Sequence, residues 1–186
     1  MKNKKLVIGI VALVILLSVS MILYKQLSKD HMPSSQSNQQ EEVQEDEKVY
    51  APDFTVYNRE GEKVTLYSLK GKPVILNFWA SWCGNCELEM PHFQAMYEKY
   101  GDDIHFVMVD MVDQQRETQE IGTEYIDQAG YTFPIYFDND MDVAYKYGVY
   151  ALPTTYFLDA DLSLVQGFTG ALNEEMLKEN VDRLLK

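Results

Sequence analysis

The chain has 186 residues, a formal net charge of -13 at pH 7 and 46 % hydrophobic residues. This composition suits one globular core with appendages, because the commonest domains hold about 100–150 residues. The acidic balance disfavours binding to nucleic acid or to an anionic membrane surface through charge, so we expect no nucleic-acid partner.

The N-terminus predicts a membrane anchor. Three lysines among the first five residues precede an uncharged run, LVIGIVALVILLSVSMILY, from Leu6 to Tyr24. As a helix this run would reach roughly 28 Å, close to the hydrocarbon thickness of a bilayer. The lysines favour a cytoplasmic N-terminus. Residues 1–24 are therefore predicted to be a cytoplasmic tip and a transmembrane anchor, and the alternative is a signal peptide cleaved near Ser18 and Ser20.

Residues 25–49 are predicted to form a flexible polar linker. Their sequence, which begins KQLSKDHMPSSQSNQQEEVQEDEK, has too few apolar residues to offset its ordering entropy by burial. Residues 1–48 hold six lysines and six acidic residues, so the whole formal charge of -13 lies on the remainder. Residues 50–186 are predicted to be one acidic domain.

Within this domain, runs with strand and helix patterns alternate. In chain order the pattern predicts a hairpin of Phe54–Tyr57 and Val64–Leu66, a strand Pro73–Trp79, a helix Gly84–Tyr100, a strand His105–Asp110, a helix Glu117–Ala129, a strand FPIYF, a helix Met141–Tyr147, an antiparallel pair TTYFLD and LVQGFT, and a last helix capped by Asn173. Asp140 is expected to cap the helix Met141–Tyr147. Strands that alternate with helices predict an α/β fold with parallel central strands.

The only two cysteines, Cys83 and Cys86, lie where a buried strand is followed by a helix, in NFWASWCGNCELEMP. Unpaired backbone N–H groups and the helix dipole favour a thiolate at Cys83. Cys86 follows one helical turn later, within disulfide reach. The pair predicts a nucleophile and a resolving thiol that switch between dithiol and disulfide, with no bound cofactor.

Two other uses of the cysteine pair are weaker. A structural disulfide across so short a loop would remove little entropy from the unfolded chain. A zinc site needs four ligands, whereas the chain has one C-x-x-C pair and three histidines, none at the usual spacing. Redox chemistry is the better interpretation.

Several segments resemble a known family. APDF, LKGKPVILNFWASWCGNCELEMP, YGVYALPTTYFLD and GFTGAL together resemble the membrane-tethered, extracytoplasmic TlpA/ResA-like branch of the thioredoxin fold. The resemblance covers residues 50–186 and implies a thioredoxin fold with an N-terminal β-hairpin and a central insertion around Val112 to Tyr131. It implies a thiol-disulfide oxidoreductase held at the cell membrane by a single span, with its catalytic domain on the extracytoplasmic side.

The resemblance also implies a substrate-binding rim. Pro153 in ALPT would have a cis peptide bond and would expose the Leu152 backbone for strand-like pairing with a client peptide. The implied rim around Cys83 consists of Trp82, Leu152, Pro153, Gly170 and Ala171.

Two departures from typical thioredoxins bear on catalysis. Asn77 stands where typical thioredoxins have an aspartate under the active site, and it cannot exchange a proton. The TlpA/ResA-like branch has a glutamate three residues after the second cysteine, so Glu89 is expected to take the Cys86 proton. The alternative for Glu89 is a solvated place on the helix surface. Asn85 replaces a proline, and its N–H is expected to stabilise the Cys83 thiolate and make the disulfide more oxidising.

The resemblance favours a reductase of client disulfides that receives electrons from a membrane donor related to CcdA or DsbD. The candidate clients are apocytochrome c and a methionine sulfoxide reductase. One alternative is a thiol oxidase that forms disulfides in secreted proteins. Another is an extracytoplasmic copper carrier, for which His92 and His105 lie outside the expected loop.

Overall fold

The computed structural model describes residues 16–21, 23, 24 and 48–186. Residues 16–21, 23 and 24 are helical, and within the described parts of the chain no helix is long and apolar enough to cross a membrane. Most of the predicted anchor and nearly all of the predicted linker, residues 25–49, lie outside the described residues. Both therefore stay predictions. Residues 48–186 belong to one compact unit.

This unit is built on a mixed sheet of seven strands in the order β2-β1-β5-β4-β3-β6-β7. The strands are β1 Thr55–Tyr57, β2 Lys63–Thr65, β3 Val74–Trp79, β4 His105–Met111, β5 Ile135–Asp138, β6 Thr154–Leu158 and β7 Leu164–Thr169. Strands β3, β4 and β5 are mutually parallel, whereas β1 and β2 form an antiparallel hairpin and β6 and β7 a second antiparallel pair. The predicted hairpins and parallel central strands are confirmed.

Four helices and a short 3-10 turn complete the unit. They are α1 Gly84–Tyr100, α2 Gln119–Ala129, α3 Asp142–Lys146, α4 Glu174–Leu184 and the 3-10 turn Leu66–Leu69. As predicted, Asn173 caps α4, since its side chain accepts a 2.8 Å hydrogen bond from the Met176 N–H. Helix α2 ends at Gly130, which adopts the left-handed conformation (φ 73°) that glycine tolerates.

The predicted cap of α3 is wrong. Met141, not Asp140, is the residue before this helix, and its side chain makes no capping hydrogen bond. Strand β5 extends to Asp138, and the carboxylate at its end accepts a 2.9 Å hydrogen bond from the Ala144 N–H. The first turn of α3 is therefore satisfied by a strand residue, which leaves no cap function for Asp140.

Alternation along β3 sends its side chains to two separate cores. Ile75 and Trp79 pack in a core that includes residues of α1, α2 and α4, whereas Leu76 and Phe78 pack in a core that includes residues of α3 and the 3-10 turn. Asn77 has the parity of the first group, so its polar side chain enters the space beneath α1.

The two ends of the sheet carry different features. Trp79 at the end of β3 lies beside Asp110 of β4, and the chain continues from Trp79 into Cys83 and α1. Val74, at the start of β3, lies beside Leu158 of β6. The first residues of the domain contact the loop that follows Leu158. Tyr50 forms a β-bridge with Ser163, and the Lys48 ammonium lies 2.7 Å from the Asp161 carboxylate.

Candidate active site

Cys83 and Cys86 form a disulfide at the start of α1, with Cα atoms 5.2 Å apart. Cys83 is the N-cap of the helix, and its Sγ accepts a 3.1 Å hydrogen bond from the Cys86 N–H. The same N–H also donates to the Cys83 carbonyl at 2.9 Å, so it is shared between the carbonyl oxygen and the sulfur, and a donor in this place favours a thiolate at Cys83. This donor belongs to Cys86, and the effect expected of Asn85 on the Cys83 thiolate stays a prediction, because the structure contains the disulfide.

The two sulfurs differ in access. Cys83 is 7 % exposed and Cys86 is 1 % exposed, so only Cys83 has surface that a large substrate can approach. The Cys86 sulfur is therefore the shielded one of the pair.

Glu89 lies one turn beyond Cys86 and is fully buried, which excludes the solvated surface position as its place. Its two carboxylate oxygens accept hydrogen bonds from different elements: Oε1 from the Asn77 side-chain amide at 2.8 Å, and Oε2 from the Leu172 N–H at 2.9 Å. Burial raises the pKa of Glu89 from 4.5 to about 7, although both hydrogen bonds oppose the rise. A carboxyl with this pKa can accept or release a proton near neutral pH.

Asn77 positions the Glu89 carboxyl through a hydrogen bond. Its amide nitrogen donates to Glu89 and also, at 2.9 Å, to the Thr155 hydroxyl of β6. This side chain therefore fixes the carboxyl between the sheet and the helix but contributes no titrating group.

The residues of the predicted rim lie in three loops, which precede α1, precede β6 and follow β7. The Leu152–Pro153 peptide bond is cis, as the resemblance implied, and the Pro153 carbonyl accepts a 2.8 Å hydrogen bond from the Gly170 N–H. Leu152 packs against the core cluster that contains both cysteines, and Ala171 is exposed beside Gly170. Trp82 is 47 % exposed directly before Cys83.

A second polar cluster, which the sequence prediction missed, adjoins the cysteine loop. The Glu117 carboxylate accepts hydrogen bonds from the Ser81 N–H at 3.0 Å and the Ser81 hydroxyl at 2.6 Å. Beside it lies buried Asp110 at the end of β4. A charged residue that ends a buried apolar strand, next to the strand of the cysteine loop, is the sequence signal that could have indicated this cluster.

Neither histidine of the copper-carrier alternative lies with the cysteines in a ligand set. His105 pairs with Val74 at the opposite end of the sheet from Cys83. His92 lies two turns along α1 from Cys86. In the described residues, no group of three or more His, Cys, Asp or Glu side chains is placed to hold a metal ion.

Comparison with known proteins gives consistent matches. The AhpC/TSA family profile matches residues 48–166. The thiol-disulfide oxidoreductase ResA of Bacillus thuringiensis (strain Al Hakam) is 36 % identical over 129 residues, which cover 69 % of this chain and 72 % of that protein. The thioredoxin-like protein YneN of Bacillus subtilis (strain 168) is 30 % identical over 179 residues, 96 % of this chain and 98 % of YneN.

Among solved structures, StoA of Bacillus subtilis superposes with a TM-score of 0.61 at 30 % identity, covering 70 % of this chain and 96 % of StoA. Together with the sheet order, these matches make the protein an enzyme, a thiol-disulfide oxidoreductase with a thioredoxin-like fold. Enzymes of this class act on client proteins that contain disulfides. The chain belongs to the AhpC/TSA family, and within that family it is of the ResA and StoA type.

Proposed function

We propose that the protein is an extracytoplasmic reductase of disulfides in client proteins, with Cys83 as the nucleophile and Cys86 as the resolving thiol. The observation that carries this proposal is the arrangement at the start of α1. The accessible Cys83 sulfur accepts a backbone N–H, while the shielded Cys86 is followed one turn later by a buried carboxyl that titrates near neutral pH.

The reaction has two exchange steps. The Cys83 thiolate attacks one sulfur of the client disulfide, the other client sulfur leaves as a thiolate, and a mixed disulfide forms. Cys86 then loses its proton and attacks Cys83 Sγ, which breaks the mixed disulfide and releases the second client thiolate. Two electrons have passed to the client, and the Cys83–Cys86 disulfide seen in the structure remains.

Glu89 is proposed to receive the Cys86 proton. Hydrogen bonds from the Leu172 N–H and the Asn77 amide stabilise the carboxylate form of Glu89, whereas burial favours its neutral form. Burial outweighs the two hydrogen bonds and brings the pKa of Glu89 to about 7, so the group can take the proton as Cys86 attacks and can return it to a leaving client thiolate.

The rim is proposed to bind a client in an extended conformation. The cis bond before Pro153 is held by the loop of Gly170, and exposed Trp82 and Ala171 offer apolar surface on either side. A client strand would pair with the backbone of Leu152 and place its disulfide over Cys83.

The proposed location is the cell membrane, with residues 1–24 as a retained anchor and the catalytic domain outside the cytoplasm. The run of apolar residues after the N-terminal lysines supports this proposal. A membrane protein related to CcdA or DsbD would then restore the dithiol. Apocytochrome c, whose haem-binding thiols must be reduced, and a methionine sulfoxide reductase are the proposed clients.

A thiol oxidase is the second candidate, because the hydrogen bond from Cys86 N–H to Cys83 Sγ stabilises the thiolate and so makes the disulfide more oxidising. The reduction potential distinguishes the two functions. Equilibration with glutathione buffers should give a value near about -270 mV for a reductase, and a value near about -120 mV would favour the oxidase.

A further inference from the structure

Residues 113–117 form a turn between β4 and α2 that reaches the cysteine loop with two consecutive side chains. Glu117, fully buried, accepts both hydrogen bonds from Ser81. The Arg116 guanidinium lies 4.0 Å from the centre of the Trp82 ring. The two residues that lead into Cys83 are thus each held by a side chain of this turn.

The 113–117 turn is organised by Asp113. One of its carboxylate oxygens, Oδ1, accepts hydrogen bonds from the backbone N–H groups of Gln115, Arg116 and Glu117 at 2.9, 2.7 and 2.9 Å. These bonds lower the pKa of Asp113 to about 2, so its carboxylate form holds the turn throughout the physiological pH range. The direction of the Glu117 side chain is therefore set by its own backbone turn.

The contact point on the cysteine loop is a corner. The Cys83 N–H donates a 3.1 Å hydrogen bond to the Ala80 carbonyl, which makes Ser81 and Trp82 the central residues of the turn that enters α1. Because Glu117 binds both the backbone and the side chain of Ser81, it fixes the rotation of this corner. The Cys83 sulfur follows two residues later.

Asp110 lies behind Glu117, on the side away from Ser81. Both Asp110 oxygens and Glu117 Oε1 are buried and lack a donor within the described residues, so a proton shared by the two carboxyls would satisfy Glu117 Oε1 and one of the two Asp110 oxygens. Burial, followed by the neighbouring Glu117 charge, raises the pKa of Asp110. Gly122 of α2 provides the space, since a Cβ there would overlap Asp110 Oδ2.

We propose that Glu117 is a positioning residue for the nucleophile, which sets the Ser81–Trp82 corner and through it the place of the Cys83 sulfur, and that protonated Asp110 keeps Glu117 in this position. The proposal rests on the proposed role of Cys83 as the attacking thiol. It assigns to the β4–α2 segment a role in the exchange reaction.

The charged groups around the pair support a proton held at neutral pH. Asp113 is a second negative charge on the same turn, and it adds to the rise in the pKa of Asp110. The nearby cation, Arg116, is directed outward over Trp82 and pairs with Asp113 at 3.5 Å. Ser81 from the cysteine loop is uncharged, and α2 contributes Gly122, which has no side chain.

The test compares the full-length reduced protein with Ser81→Ala, Glu117→Ala, the double variant, and Glu117→Gln. The readouts are the alkylation rate of Cys83 across pH, with the labelled peptide identified by mass spectrometry, and the stopped-flow rate with a model disulfide. Each alanine variant should slow both reactions about tenfold, since small displacements of a reacting atom are costly. The double variant should be no slower than either single one, because both act through one contact.

Glu117→Gln is the conservative variant. Its amide oxygen can still accept from Ser81 while its amide nitrogen faces Asp110, so its rates should stay within about threefold of wild type. Exposed Glu124 on α2, changed to Ala, is the matched control and should have no effect. If Glu117→Ala fails to fold, Ser81→Ala and Glu117→Gln carry the test.

Unchanged alkylation and exchange rates in Ser81→Ala and Glu117→Ala would overturn the positioning role, and so would effects that add in the double variant. Failure of the proposed function looks different. In that case the wild-type protein itself would show no exchange, or the labelled peptide would contain Cys86 instead of Cys83.

Discussion

Glu89 has neighbours that move its pKa in opposite directions. Burial favours the neutral acid, and the Leu172 N–H and Asn77 amide favour the carboxylate. Since the pKa of Glu89 in the folded protein, about 7, is above its ordinary value of 4.5, the folded state keeps a proton that the unfolded chain releases. The Glu89 carboxyl therefore stabilises the fold less as the pH rises through that range, and this loss of stability is compatible with the proton transfer proposed for it.

The first prediction concerns Glu89→Gln. We expect the variant to slow release of the mixed disulfide by roughly ten- to a hundredfold and to lose the rise in rate that accompanies Glu89 ionisation near pH 7. Stopped-flow reduction of a model disulfide across pH measures both effects. Glu87→Gln, at an exposed position on the same helix, is the control. A pH profile shared by all three proteins would show that Glu89 does not handle the proton.

The second prediction uses the difference in access between the cysteines. Cys86→Ser should trap client proteins as mixed disulfides through Cys83, because the resolving thiol is missing. Cys83→Ser should trap none, because Cys86 is buried. Non-reducing gels of membrane extracts give the comparison, and equal trapping by both variants would reverse the assignment.

At the scale of elements, α4 and the loop before it support the active site from outside the cysteine helix. Asn173 caps α4, and the adjacent Leu172 donates its N–H to Glu89. The end of one helix thus sets the position of the carboxyl on another. Loss of the Asn173 cap should therefore change the position of the Glu89 carboxyl as well as lower the stability of the domain.

The third prediction is that Asn173→Ala lowers the free energy of unfolding by about 1 kcal/mol and shifts the pH profile of exchange that depends on Glu89. Asn173→Ser keeps a capping oxygen and should retain both properties. Urea unfolding and the stopped-flow profile are the measurements. A loss of stability with an unchanged pH profile would mean that the cap does not act on Glu89.

Local signals in the sequence were sufficient for most elements and for the cysteine pair. The bounds of α1 agree with the prediction, because the strand, the cap and the apolar spacing lie next to one another in the chain. Contacts between distant residues could not be predicted in this way. Leu172 and Glu89 are 83 positions apart, and Ser81 and Glu117 are 36 apart, so no local pattern joins them. Asp140 failed as a cap because β5 continued further than its pattern indicated.

At the scale of the whole molecule, the domain is acidic outside and also contains buried carboxyls. The pKa values of Asp110, Glu117 and Glu89 are all raised, chiefly by burial. Each of these groups holds protons in the folded state that the unfolded chain releases once the pH exceeds the ordinary carboxyl range. The free energy of unfolding should therefore fall as the pH rises from about 4 towards alkaline values.

The fourth prediction isolates one of these contributions. The Asp110→Asn variant has no proton to release at this position. As the pH increases, its free energy of unfolding should therefore rise relative to that of the wild type, by up to about 1.4 kcal/mol per pH unit. Urea unfolding of the oxidised proteins at about pH 5 and about pH 8 measures the difference. Asp142→Asn, at an exposed position, should follow wild type. Parallel pH dependence in wild type and Asp110→Asn would show that Asp110 is ionised in the folded state.

The bridge between Tyr50 and Ser163 fixes where the chain enters the domain. It lies near Leu158, at the end of the sheet marked by Val74, whereas Cys83 follows the other end of β3. Five residue steps of strand separate these ends, roughly 16 Å. A domain immobilised through its N-terminus, on a sensor chip or an electrode, would accordingly present its disulfide to the bulk solution and leave the end of the sheet nearest Cys83 unobstructed.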